Sequence, residues 1–139
     1  MNSNILIKAN ATESLEAFVA SLSGSLGPAQ WEERKSSNYL GERYYRSFIL
    51  GLELTVALTD DEEFKDFRFW LCFQSEPGCR GDEPFLDGLA DCVARKLVQR
   101  GCEVVRPFDM GRIGSGGMVY RLNPHFAAKP RERVLTEEI

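Results

Sequence analysis

The chain has 139 residues, 43% of them hydrophobic and 27% charged, the size and composition of one globular domain with its own core. No apolar run approaches the roughly 18 residues that a membrane-spanning helix needs, so no membrane is expected as a partner. A formal net charge of −4 argues against direct nucleic-acid binding, which calls for a basic surface.

The opening MNSNILIKAN has too short an apolar stretch for a signal peptide, and a cytoplasmic location is expected. Ile5 to Ile7 reads as a first strand. Asn10 suits a helix N-cap, with Glu13 three residues on as its capping-box partner. Leu15, Phe18, Val19 and Leu22 recur at helical spacing, which predicts an amphipathic helix near 11–24, ended by Gly24, Gly27 and Pro28. A strand is expected from Trp31 to Lys35, a turn around Asn38 to Gly41, and a strand from Arg43 to Ile49. Leu50-Gly51 turns tightly into the next strand. There Leu52, Leu54, Val56 and Leu58 alternate with Glu53, Thr55, Ala57 and Thr59, a period of two with one face buried.

Phe67, Phe69, Leu71 and Phe73 alternate with Arg68, Trp70, Cys72 and Gln74, which predicts a central strand bulky on both faces. A second helix is expected over 83–100. Asp82 is its cap, Phe85, Leu89, Cys92, Val93 and Leu97 its buried stripe, and Gly101 its C′ residue. Its acids come early and its bases late, in accord with the helix dipole. Val104-Val105 and Met118 to Leu122 are the last strands. These readings give a single α+β domain over 1–126 and a flexible tail over 127–139. The element order is β-α-β-β-β-β-α-β-β. Short turns between strands imply a mostly antiparallel sheet of five to seven strands with both helices on one face.

The charge is unevenly spread. Asp60, Asp61, Glu62, Glu63 and Asp66 surround a single Lys65; removing these six leaves equal numbers of acids and bases, so the whole negative balance sits in 60–66. Such a stretch is either a solvated hairpin end or a patch that steers in a cationic partner. It lacks the alternating ligands and central glycine of a calcium loop, so no metal is expected. Arg43, Tyr44, Tyr45 and Arg46 are a second cluster, of residue types enriched at protein interfaces. Alternation along a strand, half to core and half to solvent, would explain them as well.

GRIGSGG, at 111–117, has neither the Lys-Ser/Thr of a phosphate loop nor the spacing of a dinucleotide fingerprint, and strand-like Met118-Val119-Tyr120 follows it. It reads as a mobile hairpin loop whose glycines supply positive φ. Cys72, Cys79, Cys92 and Cys102 have no zinc-ribbon spacing, and His125 is the sole histidine, so a histidine-pair metal site is excluded by count. Neither catalysis nor a cofactor is expected.

Residues 36–73, with Asn38-Tyr39, Gly41, Tyr44-Tyr45, Leu50-Gly51-Leu52, a run of acids and Asp66-Phe67-Arg68-Phe69-Trp70, resemble small bacterial immunity proteins of contact-dependent growth-inhibition and related polymorphic-toxin systems. That resemblance implies a cytosolic protein that binds a toxin domain, often a basic nuclease, and covers its active site. Two other readings stay open from the residues: a secretion chaperone or adaptor, and a small-ligand-binding domain.

Overall fold

A computed structural model of the chain describes residues 2–8, 13–27, 30–59, 63–78, 83–110, 112–122 and 134–138. Its elements are β1 (Asn2–Ile7), α1 (Leu15–Leu26), β2 (Glu32–Lys35), β3 (Leu40–Ile49), β4 (Leu52–Leu58), β5 (Phe69–Ser75), α2 (Glu83–Gln99), β6 (Val104–Pro107), β7 (Gly117–Leu122) and β8 (Val134–Glu138). The strands form one eight-stranded sheet in the order β2-β3-β4-β5-β1-β6-β7-β8. Every neighbouring pair is antiparallel.

The α+β class and the element order read from the sequence hold through β7. The addition is β8, which lies inside the segment 127–139 expected as a flexible tail. Val134 pairs with Leu122 and Glu137 with Val119. The reason is physical: β7 would otherwise end the sheet with an open row of amides, and VLTEE carries the β-branched residues that suit a strand.

Parity decides which side chains face the helices. Ile5 and Ile7, Leu54 and Val56, Phe69, Leu71 and Phe73, Val104 and Tyr120 all point to one face. There they meet Leu15, Phe18, Val19 and Leu22 of α1 and Leu86, Ala90, Val93, Ala94, Leu97 and Val98 of α2, so both helices cover this inner face. Phe18 stacks on Phe69 with centroids 4.2 Å apart. The buried stripe of α2 is rotated from the one expected. Leu86 and Ala90 take its first turns, so Phe85 and Cys92 are exposed and Leu89 is only partly buried at the core margin.

The bounds of α1 differ from the sequence reading at both ends, since the helix starts later and runs through Gly24 to Leu26, with Gly27 as its C-cap. α1 begins at Leu15, capped by Ser14, whose Oγ accepts a hydrogen bond from the Ala17 amide at 3.1 Å. Ser14 lies directly before the apolar stripe, so capping there starts the helix where burial starts. Asn10, the expected cap, and Asp82, the expected cap of α2, lie outside the described residues, as do Cys79 and His125. At the far end of α2, Gly101 takes φ 96° and the Cys102 amide donates back to the Leu97 carbonyl at 3.1 Å, closing the helix as expected.

The sheet has a weak seam. β1 and β6 pair at Leu6↔Val105 and Ile7↔Val104, and just beyond them the Lys8 amide donates to the Glu103 carbonyl at 2.9 Å. Beyond those bridges Asn2, Ser3 and Asn4 run along β5 alone, while Arg106 and Pro107 run along β7. A cleft of about 630 Å³ occupies the fork.

Candidate functional site

The outer face, opposite the helices, falls into two halves. Over β1, β6 and β7 it is covered. Leu6, Val105 and Val119 form a second apolar cluster with Phe64, and Phe67, Trp70 and Met110 pack around it. Phe64 and Phe67 belong to the acidic connection between β4 and β5, and meet edge to face at 6.1 Å. Phe64 is only 5% exposed. Full burial of such a ring contributes roughly 1.5–3 kcal/mol, which is what draws the connection down.

The sequence predicts that the acidic segment projects as a solvated turn. Asp60, Asp61 and Glu62 lie outside the described residues. Asp66 is exposed, as expected. Glu63 is not a free surface acid. Its Oε1 accepts a hydrogen bond from the Gly116 amide at 2.8 Å and its Oε2 one from the Gly114 amide at 3.1 Å. Those glycines have φ of 77° and 83°, the left-handed conformation that turns successive amides toward one point. GRIGSGG therefore holds an anion after all, and the anion is the chain's own carboxylate. Gly111 is outside the described residues.

The Arg43–Tyr45 cluster divides by parity. Tyr45 is buried in the inner core, where burial pushes its phenol pKa up. Arg43 turns the same way and forms ion pairs with Glu16 of α1 and Glu33 of β2. Arg43 thereby ties α1 to the sheet edge while its side chain stays 38% exposed, and Tyr45 is only 9% exposed. Tyr44 faces outward. It stacks on Tyr39 with centroids 4.4 Å apart, and Tyr39 stacks on Trp70 at 6.0 Å. The Trp70 indole N–H donates to Asn4 Oδ1 at 2.9 Å, fixing the ring.

Beside this aromatic row the β2–β5 half of the outer face lies open. Arg46 sits over the Phe48 ring at 5.2 Å and donates from Nε to Glu32 at 3.2 Å. Hydrogen bonds from Arg34 and then Arg46 hold the Glu32 carboxyl below its ordinary pKa. Phe48 remains 45% exposed and Leu50, at the β3–β4 tip, 97%. Leu50 also takes φ 51°, a conformation that costs an ordinary side chain roughly 1–2 kcal/mol. The sequence reading does not single out Phe48 or Leu50, although parity from a buried Tyr45 puts 44, 46 and 48 on one face.

The fork between β1 and β6 carries a polar chain. Ser3 Oγ donates to Asp87 at 2.5 Å, and Arg106 pairs with Asp87 at 3.3 Å. Arg106 also donates to Tyr120 Oη at 3.4 Å, and Tyr120 donates to Asp91 at 2.7 Å, which pairs with Arg95. Burial pushes the Asp91 carboxyl up, but the bonds from Tyr120 and Arg95 outweigh it and leave the pKa lowered. Trp70 and Met110 line both this cleft and a second one of about 670 Å³ bounded by Tyr39, Leu40 and Leu58. No described helix is long and apolar enough to cross a membrane. No protein-family model, curated protein or solved structure matches the chain.

Proposed function

We propose that this chain is a non-catalytic binding protein whose protein partner covers the open β2–β5 half of the outer face. The observation that carries this is Phe48 and Leu50: two large apolar side chains held exposed, one of them on a backbone that resists it. Arg46 covers only one side of the Phe48 ring, and the tight turn that needs positive φ at position 50 does not need a leucine there. With Tyr44, Tyr39 and Arg46 beside them, they make the aromatic, Arg-rich composition of an interface centre. At the opposite end of β4 the connection to β5 carries the exposed Asp66 within the acidic run 60–66, as the rim of that face. A basic partner fits that rim, which supports the immunity-type reading: a cytosolic bacterial inhibitor that covers the active or substrate-binding site of a toxin domain such as a nuclease.

The test uses the purified product of the adjacent gene, followed by surface plasmon resonance. Phe48→Glu should weaken binding at least tenfold, mainly through dissociation. Replacing Asp60, Asp61 and Glu62 with Ser should slow association, with a loss that shrinks as salt rises. Wild-type affinity in the Phe48 variant would overturn the docking face; unchanged salt dependence in the triple variant would remove the basic partner.

The fork cleft favours a second reading, a small-ligand-binding domain, because Arg106, Asp87 and Tyr120 converge on it. A thermal-shift screen against charged metabolites separates the two. Stabilisation abolished by Arg106→Ala would support the ligand reading.

A further inference from the structure

The Glu63 contact joins two segments that are far apart in sequence. We propose that Glu63 is a latch: it locks the acidic connection onto the glycine loop, so that the two open together and set the groove beside Trp70 and Met110. This goes beyond the docking face, because it needs no partner to operate.

Both carboxylate oxygens are engaged, each by a backbone amide of the loop between β6 and β7. Hydrogen bonds to a charged acceptor are roughly twice as strong as neutral ones. The next residue, Phe64, is buried in the outer cluster, so carboxylate and ring fix the connection at adjacent positions. The glycine loop is held from its other end as well. Met110 packs on the same cluster, and the Phe108 amide donates to the Gly116 carbonyl at 3.0 Å. Met110 from one loop and Trp70, just beyond the other, line both the fork cleft and the one beside Tyr39. Moving either loop therefore reshapes the groove.

The coupling is reciprocal by necessity. A guanidinium or ammonium group that claims the Glu63 carboxylate frees the Gly114 and Gly116 amides. An anion that claims those amides releases Glu63 and leaves the Phe64 ring alone to hold the connection. Glu63 is thus a positioning residue and not a contact acid.

The experiment is amide exchange and indole chemical shift by NMR on the full ¹⁵N-labelled chain, wild type against Glu63→Ala. Exchange at Gly114 and Gly116 should rise at least tenfold. The Trp70 indole resonance should shift, while that of Trp31, which donates to Ser23 at 3.1 Å on the helix side, should stay. Unchanged exchange at both glycines would overturn the latch. So would faster exchange spread equally through β1, β4 and β5, which marks general loosening. Should the Ala variant not fold, Glu63→Asp decides: it keeps the charge but shortens the reach. It should lose protection at one of the two amides at least, and full retention at both overturns the proposal.

Discussion

Gly117 is the residue whose replacement tests the outer packing most directly. A Cβ built on it would lie 2.8 Å from Val105 Cγ2, 2.9 Å from the Arg106 carbonyl oxygen and 3.2 Å from Pro107 Cα. Val105 is fully buried, and the other two atoms are backbone of the paired strand β6. None of them is a flexible side-chain end that can swing away. Gly117→Ala must therefore push β6 and β7 apart, and overpacking of this kind costs about 1–3 kcal/mol. For a domain of this length 1 kcal/mol moves Tm by roughly 3–5 °C, so a fall of about 5–10 °C is expected in thermal unfolding. The urea midpoint should drop with the slope unchanged. Val105→Ala removes one of the three clashes, so the double variant should be more stable than the sum of the single losses. A Gly117→Ala protein melting within about 1 °C of wild type would refute the close approach, because overpacking of that size must shift the midpoint by several degrees.

Gly88 is the converse case: it lies inside α2, and a Cβ added there would meet nothing within 4 Å. Gly88→Ala should stabilise by about 0.5–1 kcal/mol, read as a higher urea midpoint. Alkaline stability follows from Cys72, whose thiol burial pushes up to about 11 from an ordinary 9.0. The unfolded chain releases this proton first, so stability should be flat below about pH 9 and fall toward pH 11, by on the order of 2 kcal/mol. Tyr120, also raised by burial, acts in the same direction at higher pH. Urea unfolding at pH 8, 9.5 and 10.5 checks this, and a level profile would contradict it.

The inner half of the molecule is legible in the sequence because its signals are local. Alternation over 52–58 places Leu54 and Val56 in the core, and helical spacing places Leu22 and Val93 there. Parity could also assign Tyr45 inward, but the Arg-Tyr-Tyr-Arg string reads equally well from either face until a neighbouring strand fixes it. Phe67 reads as the start of β5, yet it leaves the strand for the outer cluster. The acidic connection hides its role for a different reason. Phe64, a ring amid acids, hints that the segment is not a free turn. Its partners Val105, Gly114 and Gly116 come from another part of the chain, and nothing within 60–66 specifies them. β8 escapes a sequence reading because its five residues, though suited to a strand, say nothing of the β7 edge they cover.

The two-bridge seam has a consequence for how the molecule comes apart. Residues 104–138 supply β6, β7 and β8 as one contiguous three-stranded unit, joined to the five-stranded unit by a short ladder. α2 packs on β1 and β5 on one side and on β6, β7 and β8 on the other. That helix is the clasp. Coupling between the two units runs through its buried stripe and through the outer cluster of Leu6, Phe64, Val105 and Val119, as well as through the short ladder. The turn at Arg100–Gly101, between the helix and the meander, is the natural break for a split protein. Halves cut there would find each other through helix packing, with the strands zipping afterwards.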